Sequence, residues 1–368
     1  MLRIDRTATV AAIMLAAPLF TTLANAADQD VLLTKAVKAP VKPADQPFFY
    51  VIDDRVTFSW MPKGTDPGHF SVNPNGTFNG TTAKQVYSFT HFDAWQYGTN
   101  FLNINLFKSD HNDPAMPCVN AGVLITGAPA NCAGATEAYG LIRSTFGFNE
   151  IFNTKAFTVG PLRNVSFEVG ADAGTYNTFL GPAKRDFVAG LQFAFDLPYK
   201  GFLNVAPMAY KEIGHSSFTT CGFVAGGVAG VTCNIDGNTD FRTTWAIETN
   251  YYMDLGFLPE NLQFFAISGR AAWYGPQGNL NSPLGPASGG TPTKVELNSE
   301  PIRLTLDASK AIWGPKYSHN VDVWVAYRYW QNKFRLDHNA APGICTVAGV
   351  STNTCTESTV YSGVTVKF

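Results

Sequence analysis

The sequence predicts an all-β fold, a transmembrane antiparallel β-barrel of about twelve strands with short periplasmic turns and long extracellular loops. Three observations predict it. The chain begins with an export signal, twelve segments alternate between apolar and polar residues, and the connections between those segments alternate in length. After the signal there is no uninterrupted apolar stretch of about 18 residues, the length of a spanning helix. Membrane insertion would therefore require a closed barrel.

The first 26 residues have the features of a secretory signal. Arg3 and Arg6 precede an apolar run over residues 10–23, and Ala24-Asn25-Ala26 provides a cleavage site with small residues. We expect cleavage after Ala26. Residues 27–47 carry lysines and prolines without periodicity and are expected to form a flexible periplasmic leader. The barrel is then expected to occupy residues 48–368.

Twelve segments alternate or are bounded by turn residues, and most are close to the roughly 9–11 residues that cross a membrane as a tilted strand. The connections between them are short or moderate on one side and mostly long on the other, as in outer-membrane barrels. This pattern predicts that both termini lie in the periplasm. The segments are 50–61, 84–93, 98–108, 137–148, 164–173, 185–195, 202–212, 241–252, 262–274, 300–307, 320–333 and 358–368.

The last segment predicts how the barrel is assembled. Val360, Val364, Val366 and Phe368 share one parity, with Thr365 on the other, which indicates a strand with one apolar face. A terminal aromatic favours a membrane-water boundary. The predicted partners are outer-membrane lipid and lipopolysaccharide, with the barrel-assembly machinery engaging the strand that ends in Phe368. A soluble β-sandwich would also alternate, with its apolar face as core, and remains the alternative fold.

The cysteines predict three disulfides within surface loops. They occur as three close pairs, each inside a long connection, and an exported chain reaches an oxidising compartment. None of the pairs has the C-x2-C spacing of a common zinc site, so no metal is expected. The predicted pairs are Cys118 with Cys132, Cys221 with Cys233, and Cys345 with Cys355.

Composition and motifs exclude several functional classes. The chain has 26 Lys and Arg against 28 Asp and Glu, without the basic excess that nucleic-acid binding needs. Nucleotide-binding glycine patterns are absent, so no cofactor is expected. His215 and Ser217 lie close together, as in some outer-membrane lipid hydrolases, but a hydrolase needs a third group to orient the histidine. We find no obvious acid partner and expect no enzyme activity; a lipid hydrolase is kept as an alternative.

Strand parity predicts which side chains line a lumen. Arginines outnumber acids in this set, and charged rings and pore width are how channels select solutes. Two tryptophans on the polar face could stack against bases, an interaction of about 1–3 kcal/mol per base; packing against neighbours is the alternative. The predicted lining residues are Arg55, Asn103, Asn105, Arg143, Glu168, Asp186, Gln192, Arg242, Glu248, Arg270, Arg303, Trp324, Arg328 and Trp330.

Four stretches resemble the Tsx/OmpK family of nucleoside-specific outer-membrane channels. They are YSFTHFDAWQYGTNFLNINLF (87–107), YGLIRSTFGFNEI (139–151), VAGLQFAFDLPYKGF (188–202) and YRYWQNKF (327–334). The resemblance implies a twelve-stranded barrel with a narrow polar slot for nucleosides. The chain departs from the family at Thr99, Asn105 and Ala326, where acids are expected, and in its three predicted disulfide loops.

The expected function is passive diffusion of small polar solutes, nucleosides in particular, across the bacterial outer membrane. A general or anion-preferring porin would use the arginine excess and ignore bases. A purely structural barrel would conduct nothing.

Overall fold

A closed ring of twelve long antiparallel strands forms the protein, as the sequence predicts. The computed structural model describes residues 48–115, 134–178, 183–215, 220, 235–278, 294–341 and 343–368. Each strand pairs with the next, and the last pairs with the first from Arg55–Lys367 to Trp60–Ser362. The strands are β1 Phe49–Thr65, β2 Thr81–Trp95, β3 Gly98–Ser109, β4 Thr136–Gly147, β5 Leu162–Tyr176, β6 Ala183–Leu197, β7 Gly201–His215, β8 Thr244–Asp254, β9 Phe265–Tyr274, β10 Glu296–Asp307, β11 Val321–Gln331 and β12 Thr356–Lys367.

The two faces of the sheet have opposite chemistry. Phe58, Ile104, Phe187 and Val360 are between 46% and 59% exposed on the outer face, whereas carboxylates such as Asp186 are buried on the inner face. Residues directly opposite each other in a ladder share a face. The strand register therefore assigns every strand residue of the ring to either the apolar outer face or the polar inner face. A soluble sandwich would bury its apolar face. The sandwich alternative is therefore wrong.

The connections divide the barrel into two rims. The short rim carries the tight turns after β2 and β6, the helices α1 Phe148–Ile151 and α2 Ala308–Trp313, and the 3-10 turns Glu260–Leu262 and Pro315–Tyr317. The long rim carries the six other connections, with a 3-10 turn at Lys333–Arg335 and small hairpins such as Ser71–Val72 with Phe78–Asn79. Among the described residues, no helix is both long enough and apolar enough to cross a membrane.

Aromatic side chains gather on the outside near the short rim. Trp95 stacks on Phe48 with ring centroids 5.6 Å apart, and it meets Tyr97 and Phe146 edge-on at 5.4 and 6.0 Å. These rings lie at one end of the apolar outer face. Such a girdle is typical of the membrane-water boundary of outer-membrane barrels.

Four of the twelve predicted segments start three or four residues away from the strand: 84–93, 241–252, 262–274 and 300–307. The predicted segment 300–307 begins four residues inside β10, because Pro301 lies in a bulge where the registers with β9 and β11 both shift. A bulge inserts an extra residue and breaks the alternation on which the prediction depended. The predicted segment 241–252 begins before the ladder between β7 and β8, which starts at Thr244.

The structure confirms one predicted disulfide. Cys345 and Cys355 are bonded, with their Cα atoms 5.4 Å apart, in the connection between β11 and β12. The other four predicted cysteines, Cys118, Cys132, Cys221 and Cys233, lie outside the described residues, as do the predicted signal and leader over residues 1–47. Their pairing and processing remain predictions.

Candidate functional site

The inside of the barrel is identified by an ion pair that crosses it. Arg143 on β4 donates to both carboxylate oxygens of Glu248 on β8, at 3.0 and 2.7 Å, although four strand steps separate the two. The strand register shows which other residues share the inner face with Arg143 and Glu248. Thirteen of the fourteen residues predicted to line the lumen lie on this face. They are Arg55, Asn103, Asn105, Arg143, Glu168, Asp186, Gln192, Glu248, Arg270, Arg303, Trp324, Arg328 and Trp330.

Arg242 is placed elsewhere. It lies in the connection before β8 with an exposed side chain, and its backbone N–H donates to the carbonyl of Gly278 at 2.8 Å. Arg242 was predicted to line the lumen because the predicted segment began at residue 241. The ladder between β7 and β8 begins only at Thr244, so Arg242 precedes the strand. Arg242 belongs to the long rim and not to the strand wall.

The predicted excess of arginine over acid on the inner face is wrong. Further acids share that face with the predicted residues. Alternation could have found Asp172, which has the parity of Glu168 on β5. It could not have found Glu300, because the bulge at Pro301 puts both Glu300 and Arg303 inside. Inward acids outside the predicted set include Asp53, Glu137, Asp172, Glu212, Asp254, Glu296, Glu300, Asp307, Asp322 and Glu357.

Arg143 lies at the centre of a fixed network in the barrel interior. Besides Glu248 it donates to Asp172, which also accepts from the hydroxyl of Tyr139 at 2.7 Å. Tyr274 donates to Glu248 at 3.2 Å. The Arg143 guanidinium thus bonds carboxylates on two other strands, and it links β4 to β5 and to β8.

The ring of Trp324 is covered by its neighbours. It is 4% exposed, with the Arg303 guanidinium 3.8 Å from its ring centroid and Tyr361 edge-on at 5.1 Å. Its indole nitrogen donates to Thr365 at 3.1 Å. These contacts fit the packing alternative and leave little ring surface for a passing base.

Trp330 is held in the same way. Its indole nitrogen donates to Glu296 at 2.8 Å. The ring meets Phe334 at 6.0 Å, with the charged groups of Lys333 and Arg328 at 4.2 and 5.0 Å from its centroid. A stacking platform for bases would need an open ring face, and here cations and an aromatic occupy that position.

Three ion pairs of the inner wall expose the cation more than the acid. Arg55 and Lys367 both bond Asp53, at 2.5 and 2.7 Å, and their side chains are 28% and 27% exposed against 5% for Asp53. Arg303 bonds Glu300 at 2.7 Å with 27% against 6%. Although acids are numerous inside, the accessible charge at these positions is therefore positive.

A short segment of the connection after β11 crosses the long rim. We call Lys333–Arg335 the strap. Lys333 donates to the carbonyl of Thr65 on β1 at 2.6 Å and to Glu357 on β12 at 3.1 Å. Phe334 meets Tyr176 on β5 at 6.1 Å. In a ring of twelve strands β5 is six steps from β11, so the strap reaches from one wall of the mouth to the opposite wall.

The third strap residue is buried among acids. Arg335 is 1% exposed and pairs with Glu212 on β7 and with Glu296 on β10, the latter at 3.4 Å. Burial disfavours the charged guanidinium, but Glu212, Tyr210 and Glu296 together hold the pKa of Arg335 above its ordinary value. The side chain is a cation that links β7 to β10 across part of the mouth.

Of two other candidate centres, one lies partly outside the described residues and the other has a structural explanation. His215 lies at the outward face of the end of β7, and Ser217 is outside the described residues. Asp307, His319 and Asp322 come within metal-ligand distance of one another. Asp307, however, caps α2 by accepting from the Lys310 backbone N–H at 2.8 Å. It also accepts from the His319 backbone N–H at 2.9 Å, which fixes the connection to β11.

Comparison with known proteins shows no close relative. No protein-family model matches the chain, and no curated protein sequence matches it. Three similar solved structures are the beta domain of the Bordetella autotransporter BrkA, the translocator domain of NalP from Neisseria meningitidis, and the toluene transporter TodX of P. putida. Their identities are 9%, 10% and 8%, and their TM-scores 0.34, 0.35 and 0.31. Each match covers 86% of this chain and, respectively, 99%, 88% and 89% of the other.

These likenesses are too remote to identify a function. The resemblance to nucleoside-specific channels rests on the quoted sequence stretches alone.

Proposed function

We propose that the protein is an outer-membrane channel through which small polar solutes diffuse passively, with no chemistry on the solute. One observation carries the proposal: a closed barrel exposes its apolar face outward and turns ionised and amide side chains inward. Such a wall is stable only if lipid surrounds the barrel and the interior is polar.

The orientation follows from the rims. In outer-membrane barrels short turns face the periplasm and long loops face outside. The short rim, with Phe48 and Phe368 beside it, is assigned to the periplasm, and the strap and the Cys345–Cys355 loop to the cell surface. Lipid and lipopolysaccharide would surround the apolar belt, and the barrel-assembly machinery would engage β12 with its terminal Phe368.

Nucleosides are the permeant that the sequence resemblance implies. The inward amides of Asn103, Asn105 and Gln192 offer donors and acceptors for a sugar or a base. The covered rings of Trp324 and Trp330 do not support base stacking, so we assign recognition to the amide-bearing wall of β3 and β6.

A preference for anions is the second candidate, because in three ion pairs of the inner wall the more accessible partner is the cation. Arg55, Arg303 and Lys367 shield the acids beneath them, and a charged lining of this kind sets the field that an ion meets. An anionic solute would be attracted to this surface.

Liposome swelling separates these candidates. Proteoliposomes would be challenged with uridine, with a neutral disaccharide of similar size, and with gluconate. Faster swelling in uridine supports the nucleoside assignment, and faster swelling in gluconate supports anion preference. Equal rates for all three indicate a general pore, and no swelling above protein-free liposomes overturns the channel proposal.

A further inference from the structure

We propose that Glu212, Glu296 and Tyr210 form a guanidinium-binding site at the outer mouth, that Arg335 of the strap occupies this site in the closed channel, and that a solute bearing a guanidinium group opens the mouth by displacing Arg335. The opening step rests on the proposed channel function. The binding site and its occupant do not.

The site has the chemistry that recognises a flat, delocalised cation. The terminal nitrogens of Arg335 are directed at two separate carboxylates, Glu212 and Glu296. Its guanidinium carbon lies 5.4 Å from the ring centroid of Tyr210. Guanidinium presents a flat fork of N–H groups that can bond two carboxylates at once and can stack beside an aromatic ring. This site therefore suits guanidinium better than a compact ammonium.

The carboxylates are themselves held in place. Glu212 accepts from the Tyr210 hydroxyl at 2.8 Å and from the Gln277 amide at 3.2 Å. Glu296 accepts from the indole nitrogen of Trp330 at 2.8 Å. The site is therefore built by β7, β10 and their neighbours, and would persist as an acidic pocket if Arg335 left it.

Arg335 is an imperfect occupant. Its Nε is buried, and among the described residues no acceptor bonds it. Asn332, Phe334 and Arg335 have φ angles of 54°, 55° and 61°, in the left-handed region that residues with a Cβ rarely adopt. A free guanidinium ion could satisfy the same carboxylates without this backbone distortion.

The strap is anchored differently at its two sides. On the near side Lys333 bonds Thr65 and Glu357, and its backbone N–H donates to the carbonyl of Cys355 at 3.1 Å, next to the Cys345–Cys355 disulfide. Toward β5 and β7 it is held by the pair of Arg335 with Glu212 and by the contact of Phe334 with Tyr176. Beside β10 it is held by Glu296 and by the Lys294 backbone N–H, which donates to the Arg335 carbonyl at 3.0 Å. Loss of the pair with Glu212 would free the side toward β7 while the side toward β10, β12 and β1 stays attached, which is the movement expected of a gate.

The first test does not depend on conductance. Trypsin would be added to folded, detergent-solubilised protein, and cleavage after Lys333 and Arg335 would be followed by mass spectrometry. We expect Glu212→Gln/Glu296→Gln to be cleaved at least tenfold faster than the wild type. Asp337→Asn, which removes a surface ion pair with Lys294 at 3.2 Å in the same region, is the matched control and should stay protected. Equal protection of all three proteins would overturn the assignment of Arg335 as the latch.

The second test uses competition by free guanidinium. In planar bilayers millimolar guanidinium should raise the open probability of the wild type at least severalfold, whereas equal sodium or tetramethylammonium should not. Arg335→Ala should already be open more than the wild type and should gain no further opening from guanidinium. Opening of the wild type by all three cations alike, or by none of them, would overturn the guanidinium site. Faster cleavage of the acid variant with no conductance from any protein would keep the latch and reject the proposed channel. Glu296→Gln serves in place of Arg335→Ala if that variant does not fold, and should also be open more.

Discussion

Phe334 and Tyr176 touch across the mouth of the barrel, with ring centroids 6.1 Å apart, although they come from opposite walls. Tyr176 ends β5, and Phe334 lies in the connection after β11. Tyr176 is also held by Glu137, to which its hydroxyl donates at 2.7 Å. The pair is therefore a bridge over the lumen, fixed at one end and carried by a loop at the other.

Removing the bridge should widen the mouth without unfolding the barrel. Phe334→Ala deletes the ring that reaches β5, and we expect a larger single-channel conductance with unchanged heat-modifiable migration. Burial of a Phe side chain is worth about 1.5–3 kcal/mol, and here it supports the loop only. An unchanged conductance would show that the strap does not obstruct the lumen.

The crossing ion pair should matter far more to stability than a surface pair. Arg143→Met leaves Asp172 and Glu248 without their cation in the interior, which costs about 3–5 kcal/mol. Arg163→Met removes an exposed pair with Asp196 at 3.2 Å and should change stability by about 0–1 kcal/mol. Urea unfolding in lipid vesicles measures both; equal midpoints would contradict the bracing role of Arg143.

Reduction of the Cys345–Cys355 disulfide should loosen the loop and spare the barrel. The two cysteines are 10 residues apart in sequence, so the bond constrains a local loop and none of the twelve strand pairings. We expect faster proteolysis within residues 343–355 after reduction and the same heat-modifiable migration. A barrel that unfolds on reduction would contradict this.

Acid should release the connection between β1 and β2. His69 is 3% exposed, and burial lowers its pKa to about 4; Asp66 opposes this shift and Lys84 adds to it. Because the packed histidine has a lower pKa than a free one, packing is fully stable above about pH 6.5 and weakens as the pH falls toward 4.

Hydrogen exchange of residues 66–80, expressed as protection factors corrected for the intrinsic pH dependence of amide exchange, measures the release. In the wild type the protection factors should fall between pH 6.5 and 4. His69→Phe keeps a buried ring without a titrating group and should remove this dependence. Protection that stays constant or rises in the wild type, or that falls equally in the variant, would exclude His69 as the cause.

The positions of the strands were predictable because each strand has one lipid face and one interior face. Alternation in β6, from Phe187 to Phe195, is a local property that a single sequence displays. Where a bulge interrupts alternation, as at Pro301, the prediction missed the inward carboxylate of Glu300.

The mouth was not predictable from the sequence. Arg335 meets Glu212, 123 residues away in the chain, and Arg143 meets Glu248 at a separation of 105. Such partners share no local pattern. The left-handed backbone of Phe334 and Arg335 contains no glycine that would indicate it, so the sequence predicts Lys333 as the end of a strand and the next two residues as part of a long loop.

The most direct test of the account is the current carried by the purified chain in a planar lipid bilayer under a salt gradient. The account predicts discrete conductance steps that become larger or longer-lived in Arg335→Ala, with a reversal potential that moves toward cation preference when Arg55 and Arg303 are replaced by alanine. A folded, inserted barrel that carries no current in the wild type or in Arg335→Ala would contradict it.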